Sequence, residues 1–194
     1  MNFRHLALPL VAALALTLGA CSPETSAPTA TKAIAPDQAY QSVATGGKGF
    51  TVGPMMSANT VYVLFDPQCP HCGHLWQAAL PMLDKVKFVW IPVAIMSAQS
   101  LPQGAALMQA TDPVGAMSAH ERSILANQGG ASASSSVPDA VEAAIKANTQ
   151  LLNNLGAESV PFIVAKHARS GQVITHNGAL DTQALANFLG QGQP

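Results

Sequence analysis

Short, nearly unbroken apolar runs alternate along the chain with longer helix-period stretches, and their order predicts an α/β fold. Residues 60–65 (Thr-Val-Tyr-Val-Leu-Phe) form a β-branched and aromatic run of strand length, broken by Asp66-Pro67-Gln68, and read as a buried strand. Cys69 to Leu83 reads as a helix. Pro70 suits its first position, where φ is already helical and no amide donor is missed, so Cys69 falls at the N-cap and Cys72 at the third helical position. Leu75, Trp76, Ala79 and Leu80 make the face expected to pack on a sheet, and Pro81 is expected to kink or end the helix. Lys87 to Ile95 is a second strand run whose Pro92 marks an end or an edge. From 97 to about 154 the period is helical, with helices expected over 105–110, 113–125 and 137–155, a Gly/Ser/Ala connector over 129–136, and Gly156 closing the last one. Phe162 to Ala165 and Gln172 to Thr175 are two further strands joined by a turn at Ser170-Gly171, and Asp181 is expected to cap a final helix through Leu189. The predicted order is β-α-β, a helical insertion at about 97–150, then β-β-α, within a domain at 61–190.

The N-terminus has a different logic. One cation, Arg4, precedes a run of 13 largely apolar residues, Leu6 to Leu18, followed by Gly19-Ala20-Cys21. This is the pattern of a secretory signal peptide, too short for the ~20 residues that span a bilayer. Leu18-Gly19-Ala20-Cys21 resembles the lipobox of bacterial lipoproteins, so 1–20 is expected to be removed and Cys21 to carry lipid. Residues 21–36 are Ser/Thr/Ala/Pro-rich and read as a flexible tether. Residues 37–60 form a short lead-in, with Asp37 expected to cap a helix through Ser42 or Val43.

Charge narrows the partners. Nine Lys+Arg against ten Asp+Glu leave a net charge of −1, which gives no electrostatic footprint for nucleic acid. Only 10% of residues are charged, against roughly 25% in an average soluble protein, so the surface is neutral and polar. Protein or small-molecule partners remain.

With Cys21 assigned to the lipobox, Cys69 and Cys72 remain, in Cys69-Pro70-His71-Cys72. A disulfide enclosing two residues restricts the unfolded chain little, so a purely structural bridge is a poor reading. Gly73, not His, follows Cys72, which excludes c-type haem attachment. A redox pair and a metal site stay open. At a helix N-terminus the macrodipole and free amides stabilise a thiolate, which makes Cys69 the nucleophile and the deeper Cys72 the resolving thiol. The metal alternative is a Cu(I) or Zn(II) metallochaperone using Cys69 and Cys72 with His71 or His74. Met55 and Met56 read as packing or loop residues, Asp66 as a loop or capping residue that could also serve Cys72 as proton acceptor, and His120, His167 and His176 as surface.

The predicted element order with CxxC heading the first helix resembles the thioredoxin fold, and Val61 to Cys72 resembles the DsbG/DsbC group of periplasmic thiol-disulfide proteins. Ala110-Thr111-Asp112-Pro113, Leu155-Gly156-Ala157 and Val160-Pro161 continue the likeness. The resemblance implies a cis Val160-Pro161 bond facing the CxxC, with Val160 and Pro161 binding substrate, and a redox-active Cys69-Cys72 disulfide with no other cofactor and no bound metal. It implies exported proteins with free or bonded cysteines as substrates, a membrane redox partner, and a periplasmic site at the lipid anchor. Two departures matter. The stretch 22–60 leaves no room for the DsbG/DsbC dimerisation domain, so a monomer is expected. Pro70 and His71 between the cysteines resemble the oxidant DsbA, which leaves the redox direction open.

Overall fold

The structure is a computed structural model and describes residues 33–57, 59–134 and 136–192. The expected leader and cleavage point, Cys21 and nearly all of the expected tether lie outside the described residues. Helix α1 (Ala39–Gly46) follows a single 3-10 turn at Pro36–Gln38, and then come β1 (Phe50–Val52), β2 (Thr60–Phe65), α2 (Pro70–Ala79) and β3 (Lys87–Pro92). Three helices, α3 (Ser100–Met108), α4 (Pro113–Leu125) and α5 (Asp139–Asn154), separate β3 from β4 (Phe162–Lys166), β5 (Val173–Asn177) and α6 (Thr182–Leu189). The sheet order is β1-β3-β2-β4-β5. Among the described residues only β2 and β3 pair in parallel, as a strand-helix-strand crossover requires.

This topology makes the site. β2 and β4 run antiparallel with Leu64 opposite Phe162, so the end of β2 meets the start of β4. Residues following β2 and residues preceding β4 therefore come together at one edge of the sheet. Beneath them lies a chain of edge-to-face aromatic pairs: Phe50 on Phe65 at 6.1 Å, Phe65 on Trp90 at 5.5 Å, and Trp90 on Trp76 of α2 at 5.2 Å. Such pairs add about 0.5–1.5 kcal/mol each beyond their area burial and pin α2 to the sheet.

Most elements form where the pattern places them, and the differences have physical causes. Asp37 caps nothing: the N-cap of α1 is Gln38, with no side-chain cap bond, because Pro36 opens the 3-10 turn one residue before Asp37. Leu80 does not join the buried face of α2. Pro81 stops the helix at Ala79, and in the ensuing 3-10 turn Met82 turns inward while Leu80 stays 38% exposed. β1 is a strand the pattern misses, since three residues, Phe-Thr-Val, carry too little periodicity; it exists because β3 pairs with it, Phe50 opposite Trp90. Gly53 ends it at φ 88°, where a Cβ would stand 2.3 Å from the Val86 carbonyl oxygen. At the far end, Asp181 accepts from the Ala184 amide and caps α6. Among the described residues no helix is long and apolar enough to cross a membrane.

Candidate functional site

Cys69 sits at the N-cap of α2 in extended conformation, with Pro70 exposed at the first helical position. Its side chain is only 3% exposed, and its Sγ donates to the Val160 carbonyl oxygen at 3.5 Å. The Val160-Pro161 peptide is cis, directly before β4. The fold thus brings together residues 91 positions apart because the two strand ends meet.

The two thiols are held in opposite states. The Cys69 thiol is pulled down to about 6, first by the Cys72 thiol that donates to it, then, against the opposing effect of burial, by the backbone amides of Cys72 and His71, and last by the His71 charge. Cys72, fully buried, is pushed well up, by burial first and then by its proximity to Cys69. The Cys69 thiol therefore ionises more readily than the Cys72 thiol. His71 and His74 are both exposed, their rings 6.3 Å apart. Among the described residues no three of His, Cys, Asp and Glu converge in a metal-holding group.

The approach to Cys69 is tied down by side chains. Asp66, fully buried, accepts through one oxygen from the Gln68 amide at 2.8 Å and the Ser100 hydroxyl at 2.7 Å, and through the other from the Ile95 and Met96 amides at 2.7 and 3.0 Å. With four donors Asp66 is an anchor, which agrees with its loop reading. The helical insertion clasps the same segment. Gln68 donates to Gln103 and to the Gly129 carbonyl, and Gln103 donates to the Gly129 and Ala131 carbonyls at 2.8 and 3.0 Å.

His120 corrects the sequence reading: it is fully buried, not at the surface. Its Nε2 donates to the Pro67 carbonyl at 2.7 Å and its Nδ1 accepts from the Ala131 amide at 3.1 Å, so the ring is neutral. Burial lowers its pKa. His167 and His176 are half-buried. Met55 and Met56 are exposed loop residues.

Glu121, which the sequence reading missed, is 1% exposed, and neither carboxyl oxygen has a hydrogen-bond partner. One of them lies 2.8 Å from where a Cβ on Gly73 would stand, so the carboxyl fills the gap that glycine leaves beside Cys72. Burial, then the Cys69 charge, then Asp66 push it up to about 9. A signal was present: Met117, His120, Glu121 and Ile124 share one buried helical stripe, which puts two ionisable groups on an apolar face.

No family model matches the chain. Among known proteins it is 33% identical over 132 residues to the thiol:disulfide interchange protein DsbG of Pseudomonas aeruginosa, covering 67% of this chain and 50% of that protein. It is 31% identical over 109 residues to DsbG of Escherichia coli K12, covering 53% and 42%. The chain therefore spans about half the length of the curated relatives it matches or less. A periplasmic thioredoxin-like protein from Salmonella enterica serovar Typhimurium superposes with a TM-score of 0.62 over 79% of this chain and 95% of that one, at 12% identity. The fold is that of thioredoxin-like proteins, and the likeness makes the chain a relative of part of DsbG.

Proposed function

We propose that the chain is a thiol:disulfide oxidoreductase of the cell envelope that acts on cysteines of exported proteins through Cys69 and Cys72. The observation that carries this reading is the split of the two thiols, one lowered to about 6 and one raised, beside the Val160 carbonyl. In the oxidising direction a substrate thiolate attacks the Cys69 sulfur, the Cys69-Cys72 bond breaks, and Cys72 leaves with the electron pair. A second substrate thiolate then attacks the substrate sulfur of the mixed disulfide, and Cys69 leaves as thiolate. The substrate is oxidised by two electrons and the pair reduced. A membrane redox partner takes the electrons away. Stabilising the Cys69 thiolate favours the reduced pair and makes the disulfide an oxidant. Pro70 and His71 shape the mouth, and Val160 and Pro161 offer backbone groups to an extended substrate segment in the manner of an added strand. The Cys69-Cys72 disulfide is the whole redox equipment. Lipid on Cys21 would tether the domain in the periplasm as a monomer.

The test is trapping. Cys72→Ser should accumulate mixed disulfides with exported proteins through Cys69, while Cys69→Ser should accumulate almost none. Equal capture by both variants would overturn the roles, and failure of either the wild type or Cys72→Ser to exchange with glutathione would overturn the activity. Sedimentation of a form beginning at Pro36 reads the assembly: a stable dimer at micromolar concentration would refute the monomer.

A further inference from the structure

One hydrogen-bond acceptor beside Cys69 faces outward without a partner. In the loop from β2 to α2, Asp66 and Pro67 are buried like Cys69, and only Gln68 reaches the surface, half-buried at the rim of the mouth. Its neighbours fix the orientation of its carboxamide. The Gln103 side-chain nitrogen gives both hydrogens to carbonyls, those of Gly129 and Ala131, so Gln103 turns its oxygen to Gln68. Gln68 answers with its own nitrogen, whose second hydrogen goes to the Gly129 carbonyl at 3.0 Å. A flipped Gln68 amide would set its oxygen against two oxygens, so one orientation is allowed. The atom left over is Gln68 Oε1: among the described residues no donor reaches it, and it is not shut off from solvent.

The frame that aims this oxygen is tightly built. The Gln68 backbone amide donates to Asp66 at 2.8 Å, and His120 ties the Pro67 carbonyl to the Ala131 amide. Gly130, at φ 84°, lets the connector press in so closely that a Cβ there would stand 2.6 Å from the His120 ring and 2.9 Å from the Gln103 side-chain nitrogen. Sheet order sets the side. β2 lies between β3 and β4, so Val160, just before β4, flanks Cys69 from one side, and the insertion that follows β3 holds Gln68 from the other. We propose that the Gln68 side-chain oxygen accepts a backbone N–H of the substrate, so that the segment carrying the reactive cysteine is held on both sides of Cys69, by Val160 and by Gln68.

The chemistry of the acceptor suits many substrates. A carboxamide oxygen is neutral, and it takes a donor that every residue except proline supplies, so it steers an extended chain without selecting its side chains. Spacing limits where the donor sits. Neighbouring strands lie about 4.8 Å apart, so the holds on either side of β2 are separated by roughly 5 to 10 Å, and an extended chain covers that distance in about three residues. The N–H that Gln68 takes therefore belongs within about three positions of the substrate cysteine, on the side away from Val160.

This inference rests on the activity and the docking at Val160 proposed above, and the experiment tells them apart. The oxidised full chain is opened by a short peptide with a single cysteine, and by the same peptide with each backbone amide near that cysteine replaced in turn by an ester, which removes one N–H. Dithiothreitol, which has no amide, is the reference reductant. In wild type, an ester on the Gln68 side should slow opening about fivefold, the scale of one net hydrogen bond, and an ester opposite the Val160 carbonyl should slow it as well. Gln68→Met keeps the volume and loses the oxygen. There the unmodified peptide should itself be about fivefold slower, the first ester should have no further effect, and the second should keep its full effect; Gln68→Ala should behave alike. Dithiothreitol should open all forms within about twofold of one another. Equal slowing of dithiothreitol and peptide would mean that Gln68 only positions Cys69, and would overturn the substrate contact. Ester effects that all survive in Gln68→Met overturn it too, while docking at Val160 stands. If no ester slows the wild type, both holds fall together; if dithiothreitol opens no form, the activity falls with them.

Discussion

The segment 60–79 and the insertion 100–131 build one site by opposite means. In the first, neighbours along the backbone do the chemistry: strand β2 ends, Pro70 starts a helix, and the Cys72 thiol, then the free amides of the first turn, reach the Cys69 sulfur. In the second, buried polar side chains do it: Gln103, His120 and Glu121 project from α3 and α4 onto the segment that carries the cysteines. A backbone device follows from a short stretch of sequence and tolerates substitution around it. A side-chain device depends on partners brought from elsewhere in the fold, and each member is costly to leave unpaired.

The largest effect should come where the two regions are stapled together. Asp66→Ala leaves three backbone amides and the Ser100 hydroxyl without an acceptor. The Ser100 hydroxyl is buried and the three amides are part-buried, so at about 1 kcal/mol each, the low end for an orphaned group, the loss should be about 4 kcal/mol. Urea unfolding measures it. A loss under about 1 kcal/mol would mean that solvent replaces the carboxylate and that the staple is not structural.

Next in size is Glu121, with the opposite sign. Its folded pKa of about 9 lies above the unfolded 4.5, so between these values the folded state holds a proton that the unfolded state has released. Stability therefore falls as pH rises through this window. Glu121→Gln should be more stable than wild type by about 3 kcal/mol at pH 7, with the gain vanishing toward pH 4.5 and growing toward pH 9. The reduced protein is the form to measure, because the Cys69 charge helps to raise Glu121; there Cys69, with its lowered pKa, adds stability over about pH 6 to 9 in wild type and variant alike, so the difference between the two is the readout. A gain independent of pH would place the Glu121 carboxyl in solvent.

These two residues also show what the sequence can tell. The strand, the CxxC helix and its polarity were legible because each signal lies within a few positions: an apolar run, a proline at the first helical position, a cysteine before it. Asp66 was half legible as a residue of the strand-to-helix loop, but its bonds to Ile95, Met96 and Ser100 depend on how β3 ends. β1 was invisible because three residues become a strand only when β3 is beside them. His120 and Glu121 were misread or missed because polar residues on a helix are solvent-facing by default. Only the burial of the Met117 and Ile124 stripe reverses that, and that burial is a property of the whole fold.

A smaller effect separates His120 from its region. Replacing it with Leu removes the acceptor for the Ala131 amide and the donor to the Pro67 carbonyl, which should cost about 2 kcal/mol and speed amide exchange at Ala131. The folded ring resists protonation, so below pH 6.5 the unfolded state takes up a proton that the folded state does not. Stability should therefore fall as pH drops through 6.5, and this slope should be absent in His120→Leu. Unchanged slopes would show that the ring opens to solvent.

The smallest effect is expected at the most conspicuous residue of the motif. From the sequence, His71 is the natural candidate to stabilise the Cys69 thiolate, and its charge does act in that direction, but it ranks behind the Cys72 thiol and behind the two backbone amides. Its ring is exposed, so solvent screens that charge. His71→Thr should therefore raise the Cys69 pKa only slightly from about 6, leaving it well below the ~8.5 of a free thiol. The change in reduction potential should stay within roughly 30 mV, which for a two-electron couple is about 1.4 kcal/mol. Alkylation rate against pH gives the thiol pKa, and equilibration with glutathione gives the potential. High salt should shrink the effect further, since screening acts on the His71 charge and not on the amides. A return of Cys69 to free-thiol behaviour in His71→Thr would show that the His71 side chain, and not the Cys72 thiol and the backbone of the first turn, holds the thiolate.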